Sequence, residues 1–385
     1  MAEMTMISMA VMAATQQSRS FLEAAAGRKD LYLEEGPLEE GTLEIGTLGI
    51  GTLGIGTLEK ADVIYLPDYS SLDFRQVRKL LKAGKHVLFG TMGAADAGSL
   101  KALAQTADEH GAVLLDHIHL AFNPCMASLK TALTCLGPIG RIRLHSCEYA
   151  FCCEGLRISP VRPPACVPPG GALFQRGADC LYPLVHLFGI PEQMDAQMVL
   201  TEHGMDAAGT VRGYLGTARV EIVYSKISGS HVPSLIEGER GSLLIRDLRN
   251  LKEVTYKNRS GDKDQLVSFS DEACRARELD RCMAFIKGKC SWQRQLASSI
   301  QTLQMMDEIR GHRNLSAEYR FLPWHLCLRH LNKPPPLSVR KRPDAKDPHR
   351  ITSAWVFFCL MCRQSDTYRC RQRDLNPHAV TRNRF

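Results

Sequence analysis

Residues 62–90 constrain the fold of this chain more than any other stretch of its 385 residues. They begin with the apolar run Val63–Leu66, which has the length of a buried strand and ends at Pro67. Apolar side chains then recur at helical spacing up to Gly84, and a second apolar run, His86–Phe89, follows. Strand, helix and strand in this order predict a βαβ unit of a parallel sheet, whose ligands bind at the carboxyl ends of the strands.

Residues 122–318 follow a different pattern. Strands are predicted here over 142–151, 197–201, 210–215, 218–224, 242–246 and 253–256, and helices over 125–136, 173–188, 271–287 and 291–310. Charged and apolar residues alternate from Arg219 to Val223, which is typical of a strand with one solvated face. The pattern therefore predicts a second region built on a large sheet with an open face.

Composition limits the classes of partner. The chain is 44% hydrophobic and carries 14 cysteines but no secretory signal, so we expect a cytoplasmic protein in a reducing compartment. No apolar run reaches the roughly 18 residues that span a membrane. The net charge of +7 is concentrated in the tail, since residues 333–385 contain 12 Lys or Arg against 4 Asp or Glu. We therefore predict neither a membrane nor a nucleic-acid partner.

Two segments have low sequence complexity or little periodicity. Residues 36–60 are five tandem pentads of the type GTLGI, which contain a literal GxGxxG at Gly49, Gly51 and Gly54. We interpret that motif as a coincidence, because no strand pattern precedes it and no helical pattern follows it. A few rungs of β-solenoid are the alternative. The basic tail is predicted to be disordered or non-native, and its cysteines lack the spacing of a recognised zinc site, so no metal is predicted.

Short motifs occur in a fixed order between residues 60 and 318. They are Ala83-Gly84-Lys85-His86-Val87-Leu88, Phe122-Asn123-Pro124, Gly137-Pro138-Ile139-Gly140, Gly170-Gly171-Ala172-Leu173 and Ile236-Glu237-Gly238-Glu239-Arg240-Gly241. This ordered series resembles the Gfo/Idh/MocA family of NAD(P)-dependent oxidoreductases. The resemblance implies hydride transfer to or from a secondary alcohol of a sugar, inositol or related polyol, with NAD or NADP as the cofactor.

The resemblance also implies an α/β fold class. A Rossmann-like parallel sheet with a degenerate first half is followed by an α+β domain with a large, mostly antiparallel, open-faced sheet. Residues 1–61 would hold the degenerate half and 62–121 the rest of the nucleotide-binding domain. Residues 122–318 would form the substrate and dimerisation domain, and 319–385 the tail. A homo-oligomer through the second sheet is expected.

The chain departs from the family at positions that carry its chemistry. Where the family has Glu-Lys-Pro, with a catalytic lysine, this chain has Gly90-Thr91-Met92. Gln175 stands at the family's Asp, and Asp179 at its His or Tyr. Threonine cannot supply the charge of lysine, whereas a buried Asp179 could act as a base. These departures leave two hypotheses: an oxidoreductase of weak or lost activity, or a non-catalytic scaffold that retains the fold.

The candidate site residues follow from these alignments. Asp179, His117 and Gln175 are the predicted catalytic residues. His117 and His119 follow the strand pattern Val113-Leu114-Leu115, and a spacing of two predicts that both lie on one strand face. The predicted cofactor-binding residues are Pro67, Lys85, Thr91 and His119.

Overall fold

The computed structural model describes residues 6–11, 16–33, 60–67, 73–149, 171–200 and 205–311. The repeat over 36–59, the Pro-rich stretch 160–169 and the tail 319–385 lie outside these ranges. The predictions made for those segments, including the β-solenoid and the assignment of the tail, fall there as well.

A five-stranded parallel sheet has the order β2-β1-β3-β4-β5. Its strands are β1 (Ile7–Val11), β2 (Leu31–Leu33), β3 (Val63–Leu66), β4 (His86–Phe89) and β5 (Leu114–Leu115). Every residue of β3 is buried, which explains why its sequence is a continuous apolar run. The strand order reverses between β1 and β3, and in such sheets ligands bind outside the carboxyl ends of the strands at that point.

Four helices accompany this sheet: α1 (Gln16–Ala26), α2 (Phe74–Lys82), α3 (Ala97–Glu109) and α4 (Ile118–Ala121). Helix α2 completes the predicted βαβ unit. Its amino terminus is a capping box, in which Asp73 Oδ1 accepts the Gln76 N–H at 2.8 Å and Gln76 Oε1 accepts the Asp73 N–H at 2.9 Å. Gly84, with φ of +73°, turns the chain back into β4.

The second sheet has eight strands in the order β13-β12-β11-β10-β6-β9-β8-β7. They are β6 (Ile139–Cys147), β7 (Glu192–Leu200), β8 (Asp206–Leu215), β9 (Ala218–Ser225), β10 (Ser234–Gly238), β11 (Gly241–Ile245), β12 (Glu253–Asn258) and β13 (Lys263–Ser268). All neighbours are antiparallel except β6 and β9. In β9, Val220 and Ile222 are buried while Arg219 is exposed, so the predicted alternation and the open face are confirmed.

The remaining helices are α5 (Pro124–Ala132), α6 (Ala178–Phe188), α7 (Asp271–Ile286) and α8 (Leu296–Gly311). Helix α7 packs against α1, and α8 packs against α3 and α6. The last two helices of the described chain therefore return to the first sheet. Since α7 and α8 contact helices of the first sheet, the domain boundary at residue 121 stays a prediction. No helix among the described residues combines the length and apolar composition that a membrane crossing requires.

The structure adds elements that the sequence analysis did not identify. Within residues 1–61, strand β1 is followed, four residues later, by helix α1 and then by strand β2. The expectation that His117 and His119 share a strand face is wrong. Strand β5 ends at Leu115, and His117, with φ of 53° and ψ of 39°, caps the short helix α4 that contains His119.

Candidate active site

A cleft of about 1270 Å³ opens beside the carboxyl ends of the first sheet. From the first sheet, Pro67 after β3, Thr91 after β4 and His117 after β5 line it, and Ser20 on α1 borders it. Its other wall comes from the second sheet and from the segment that leads into α6. Its described lining residues from that side include Ser146, Glu148, Gln175, Arg176, Asp179 and Arg249.

Asp179 is a buried carboxylate in the wall of this cleft. It lies in the first turn of α6, and its side chain is 7% exposed. Burial raises the pKa of this carboxyl to about 6, although Arg176, Arg249 and a hydrogen bond from Ser146 oppose the rise. The Ser146 hydroxyl donates to Asp179 Oδ2 at 2.9 Å. A carboxyl group with this pKa can give or take a proton near neutral pH.

Gln175 lies four residues before Asp179 in a π-helical turn, Leu173–Gly177, that leads into α6. Single π turns inside helices occur frequently at functional sites. The turn begins where Asp206 Oδ2 accepts the Leu173 N–H at 2.5 Å. Lys226, directly after β9, donates from its ammonium group to Gln175 Oε1. The carbonyl oxygen of Gln175 is therefore bound by a cation.

Two arginines flank the carboxylates of the cleft. Glu148 Oε2 pairs with the Arg176 guanidinium and with Arg249 Nη1, the latter at 2.7 Å. Arg176 Nη1 also lies 3.9 Å from Asp179 Oδ2. These four side chains together are close to neutral, because two guanidinium groups face two carboxylates.

The backbone approaches closely where β4 ends. An added Cβ at Gly90 would lie 2.7 Å from Tyr65 Oη, 2.8 Å from the Pro67 carbonyl oxygen and 2.9 Å from His119 Nε2. Next to it, Thr91 Oγ1 donates to the same Pro67 carbonyl at 3.2 Å. The position that carries a lysine in the resembling family therefore holds a short side chain turned to the backbone.

His117 reaches the cleft from a strained backbone position. It is 2% exposed, and neither ring nitrogen makes a hydrogen bond to another described residue. Burial is the main cause that lowers its pKa to about 3, and His119 adds to the effect. Its ring packs edge to face on Tyr182 with centroids 4.6 Å apart. His117 is thus a neutral imidazole with hydrogen-bonding capacity left for a ligand.

His119 lies behind the cleft rather than on its wall. Its Nε2 is 2.8 Å from Tyr65 Oη, and its Nδ1 is 2.9 Å from Glu278 Oε2. Arg275 Nη1 contacts His119 Nδ1 and lies 2.5 Å from Glu278 Oε2. Both ring nitrogens are engaged in this buried network, which ties β3 and α4 to α7.

The structure brings five of the seven predicted site residues together at the cleft. These are the three predicted catalytic residues, Asp179, His117 and Gln175, and two predicted cofactor-binding residues, Pro67 and Thr91. Lys85 lies before β4, at the amino-terminal end of the parallel strands and so at the opposite edge of the sheet. No cluster of three or more potential metal ligands occurs among the described residues.

Sequence reasoning missed Ser146, Glu148, Arg176 and Lys226 as parts of the site. Their neighbours in the cleft are distant in sequence, since Ser146 bonds a residue 33 positions away and Lys226 one 51 positions away. A signal for Lys226 was present, because it directly follows the apolar alternation that predicted β9.

Known proteins with a similar sequence or fold are oxidoreductases. The chain is 28% identical over 254 residues to scyllo-inositol 2-dehydrogenase (NADP(+)) IolU of Bacillus subtilis (strain 168), covering 65% of this chain and 77% of that protein. It is 28% identical over 209 residues to the uncharacterized oxidoreductase YgjR of Escherichia coli (strain K12), covering 54% of this chain and 63% of that protein. Both relatives support the resemblance of this chain to oxidoreductases of the Gfo/Idh/MocA type.

Solved structures show the same fold. KijD10 of Actinomadura kijaniata, a 3-ketoreductase solved with NADP, superposes with a TM-score of 0.62 at 14% identity, covering 80% of this chain and 98% of that one. An oxidoreductase from Bacillus cereus superposes with a TM-score of 0.58 at 16% identity, covering 79% and 96%. No protein-family model matches the sequence. The Gfo/Idh/MocA assignment therefore rests on the relatives and on the ordered motifs.

Proposed function

We propose that this protein is an NAD(P)-dependent oxidoreductase that interconverts a secondary alcohol and a ketone of a sugar, inositol or related polyol. The observation that carries the proposal is Asp179, a buried carboxyl with a pKa near neutrality, which lines a cleft at the carboxyl ends of a parallel sheet. IolU, at 28% identity, supports the substrate class, because that protein is a scyllo-inositol dehydrogenase.

The cleft suits a dinucleotide at one end. Helix α1 follows β1 at the carboxyl edge of the sheet, where the amide groups of a helix amino terminus favour a pyrophosphate. The joining residues 12–15 contain two alanines but no glycine. Pro67, Thr91 and the free nitrogens of His117 would border the nicotinamide end. When bound, the nicotinamide would accept hydride from the substrate carbon or supply it.

The chain's own groups would handle the proton and orient the substrate. In the alcohol-to-ketone direction, the Asp179 carboxylate takes the hydroxyl proton as the carbon loses hydride. Ser146, by donating to Oδ2, keeps this carboxylate oriented. Gln175 would bind the reacting oxygen, and His117 a second polar group. We assign Lys85 and His119 no direct part, because neither lines the cleft in the described structure.

The alternative function is a non-catalytic scaffold, and Thr91 favours it, because the family's lysine is absent there. The two hypotheses differ in whether the cleft binds a dinucleotide. A homo-oligomer through the open face of the second sheet is compatible with both, and we propose it as the form of the protein.

Titration of the purified protein with NADH and NADPH, followed by nicotinamide fluorescence, tests the proposal. We expect micromolar binding of at least one cofactor, then turnover of a polyol in a screen that includes scyllo-inositol. Absence of binding at millimolar cofactor in a sample shown to be folded would overturn the oxidoreductase proposal and support the scaffold.

A further inference from the structure

Lys226 is a buried cation with no role in the proposed reaction. It follows the last residue of β9, its main-chain N–H bonds the Ala207 carbonyl at 2.9 Å, and it is only 5% exposed. Its ammonium group donates to Gln175 Oε1. Burying an ammonium group is costly unless it is hydrogen-bonded. The hydrogen bond to Gln175 offsets that cost, and it holds both side chains in place.

The chemistry of the two groups fixes the orientation of the Gln175 amide. An ammonium group has donors only, so Gln175 must turn its carbonyl oxygen to Lys226. Its NH₂ group then points away from Lys226, and Gln175 lines the cleft. Because a cation polarises the amide, that NH₂ group becomes a stronger donor than a neutral amide in water.

We infer that Lys226 is a positioning residue that acts through Gln175, so that the Gln175 NH₂ group donates a hydrogen bond to the reacting oxygen of the substrate. The positive charge of Lys226 thereby acts on the substrate oxygen through the Gln175 amide, whereas the neutral Thr91 supplies no charge. Asp179, four residues further along the same helical segment, faces the same cleft and carries the proton. The inference rests on the proposed function and predicts a substrate whose reacting carbon bears a carbonyl or hydroxyl oxygen.

Three variants test the pair. Lys226→Met removes the charge at similar length, Lys226→Arg retains it, and Gln175→Glu retains the contact with Lys226 while removing the donor. We expect Lys226→Met and Gln175→Glu each to lower kcat by at least about 10-fold with an unchanged Kd for the cofactor, since lost donors to a developing oxyanion cost up to about 10³. Lys226→Arg should recover most of kcat. Unchanged kcat in Gln175→Glu would overturn donation by Gln175.

A readout without turnover separates this inference from the proposed function. The side-chain amide ¹⁵N–¹H signals of Gln175, assigned by their loss in Gln175→Glu, should shift in Lys226→Met and remain near their positions in Lys226→Arg. If the wild type binds no cofactor, the proposed function fails, and with it donation to a substrate. If it binds cofactor and turns over while the Gln175 signals ignore Lys226→Met, the proposed function stands and this inference falls.

Discussion

At the scale of single residues, burial decides the protonation of the groups in and near the cleft. Asp179 and Asp116 both have raised pKa values, to about 6 and about 7, chiefly because both are buried. Asp179 faces the cleft, whereas Asp116 is fully buried beside it, with Oδ1 accepting the Gly93 N–H at 2.7 Å. One group is therefore available for chemistry, and the other affects stability.

Replacing Asp179 with Asn should lower kcat about 10²- to 10⁴-fold, because a positioned acid–base group contributes that much. In the wild type, the rate of alcohol oxidation should rise with pH through about 6 as the carboxyl loses its proton, and the rate of ketone reduction should fall over the same range. Steady-state kinetics in both directions measure this. The exposed Asp264 offers the matched control Asp264→Asn, and equal losses in both variants would contradict the prediction.

Replacing Asp116 with Asn should change how stability depends on pH. Its folded pKa of about 7 lies above that of an unfolded aspartate, so the folded state binds the extra proton between them. The free energy of unfolding should therefore fall as pH rises from about 4 to 7, by up to roughly 4 kcal/mol, and this fall should shrink in Asp116→Asn. Urea unfolding across this range measures it. Identical pH dependence in the two proteins would show that folding does not raise the pKa of Asp116.

At the scale of elements, the turn after β4 is fixed by the closeness of β3 and α4. Gly90→Ala should reduce the free energy of unfolding by about 1–3 kcal/mol, because the added methyl meets backbone and buried side chains below 3.0 Å. Gly140→Ala on β6 is the matched control, since its Cβ would meet nothing within 4 Å. Thermal or urea unfolding compares them. Similar stability of the two variants would mean that the turn accommodates the added methyl group without loss of stability.

Strand β2 bears on cofactor choice. It ends at Leu33, and the next two residues of the chain are Glu34 and Glu35, which lie outside the described residues. In dinucleotide folds an acidic residue about 20 positions after the glycine turn binds the ribose 2′-hydroxyl of NAD, and it would repel the 2′-phosphate of NADP. We expect tighter binding of NADH than of NADPH, with the preference reduced in a Glu34→Ala, Glu35→Ala double variant. Tighter NADPH binding by the wild type would contradict this.

The sequence predicted the elements whose signals are local. The βαβ unit was predicted because β3 and β4 are continuous apolar runs and α2 carries apolar residues at helical spacing before Gly84. Strand β1 and α1 were not identified, because residues 12–15 between them contain none of the glycines that mark a dinucleotide-binding segment in a sequence. Strands β10 and β13 were also missed. Strand β13 is mostly exposed at the edge of its sheet, so it has no apolar alternation to detect.

The site was harder to predict than the fold. Asp179 and Gln175 were found by alignment with the family motif, but Lys226 and Ser146 reach them only through pairing of distant strands. His119 was predicted from its place after the strand pattern that ends at Leu115, but it is occupied by a network with Glu278 and Arg275 that no local pattern contains.

At the scale of the whole molecule, the open face of the second sheet carries a charged and partly apolar surface. Arg141 on β6 and Arg219 on β9 both pair with Glu221 on β9, and Tyr214 on β8 is 46% exposed. We expect a homo-oligomer that Tyr214→Glu weakens, as measured by light scattering after size-exclusion chromatography. Tyr32→Glu is the control, because Tyr32 is 51% exposed, similar to Tyr214, but lies on β2 of the other sheet. A monomeric wild type would contradict the prediction.

The return of α7 to α1 links the two ends of the described chain. Arg28 pairs with Asp280, 252 residues further on, and Lys287 Nζ lies 2.6 Å from Asp30 Oδ2. On a ribosome that adds 5–20 residues per second, α1 therefore waits about 13–50 s for its partner. During that interval the side of α1 that α7 will cover is open to solvent and to chaperones. Synthesis at low temperature or with added chaperone should raise the soluble yield of this protein. The increase should exceed that of a protein whose first domain is completed early in synthesis.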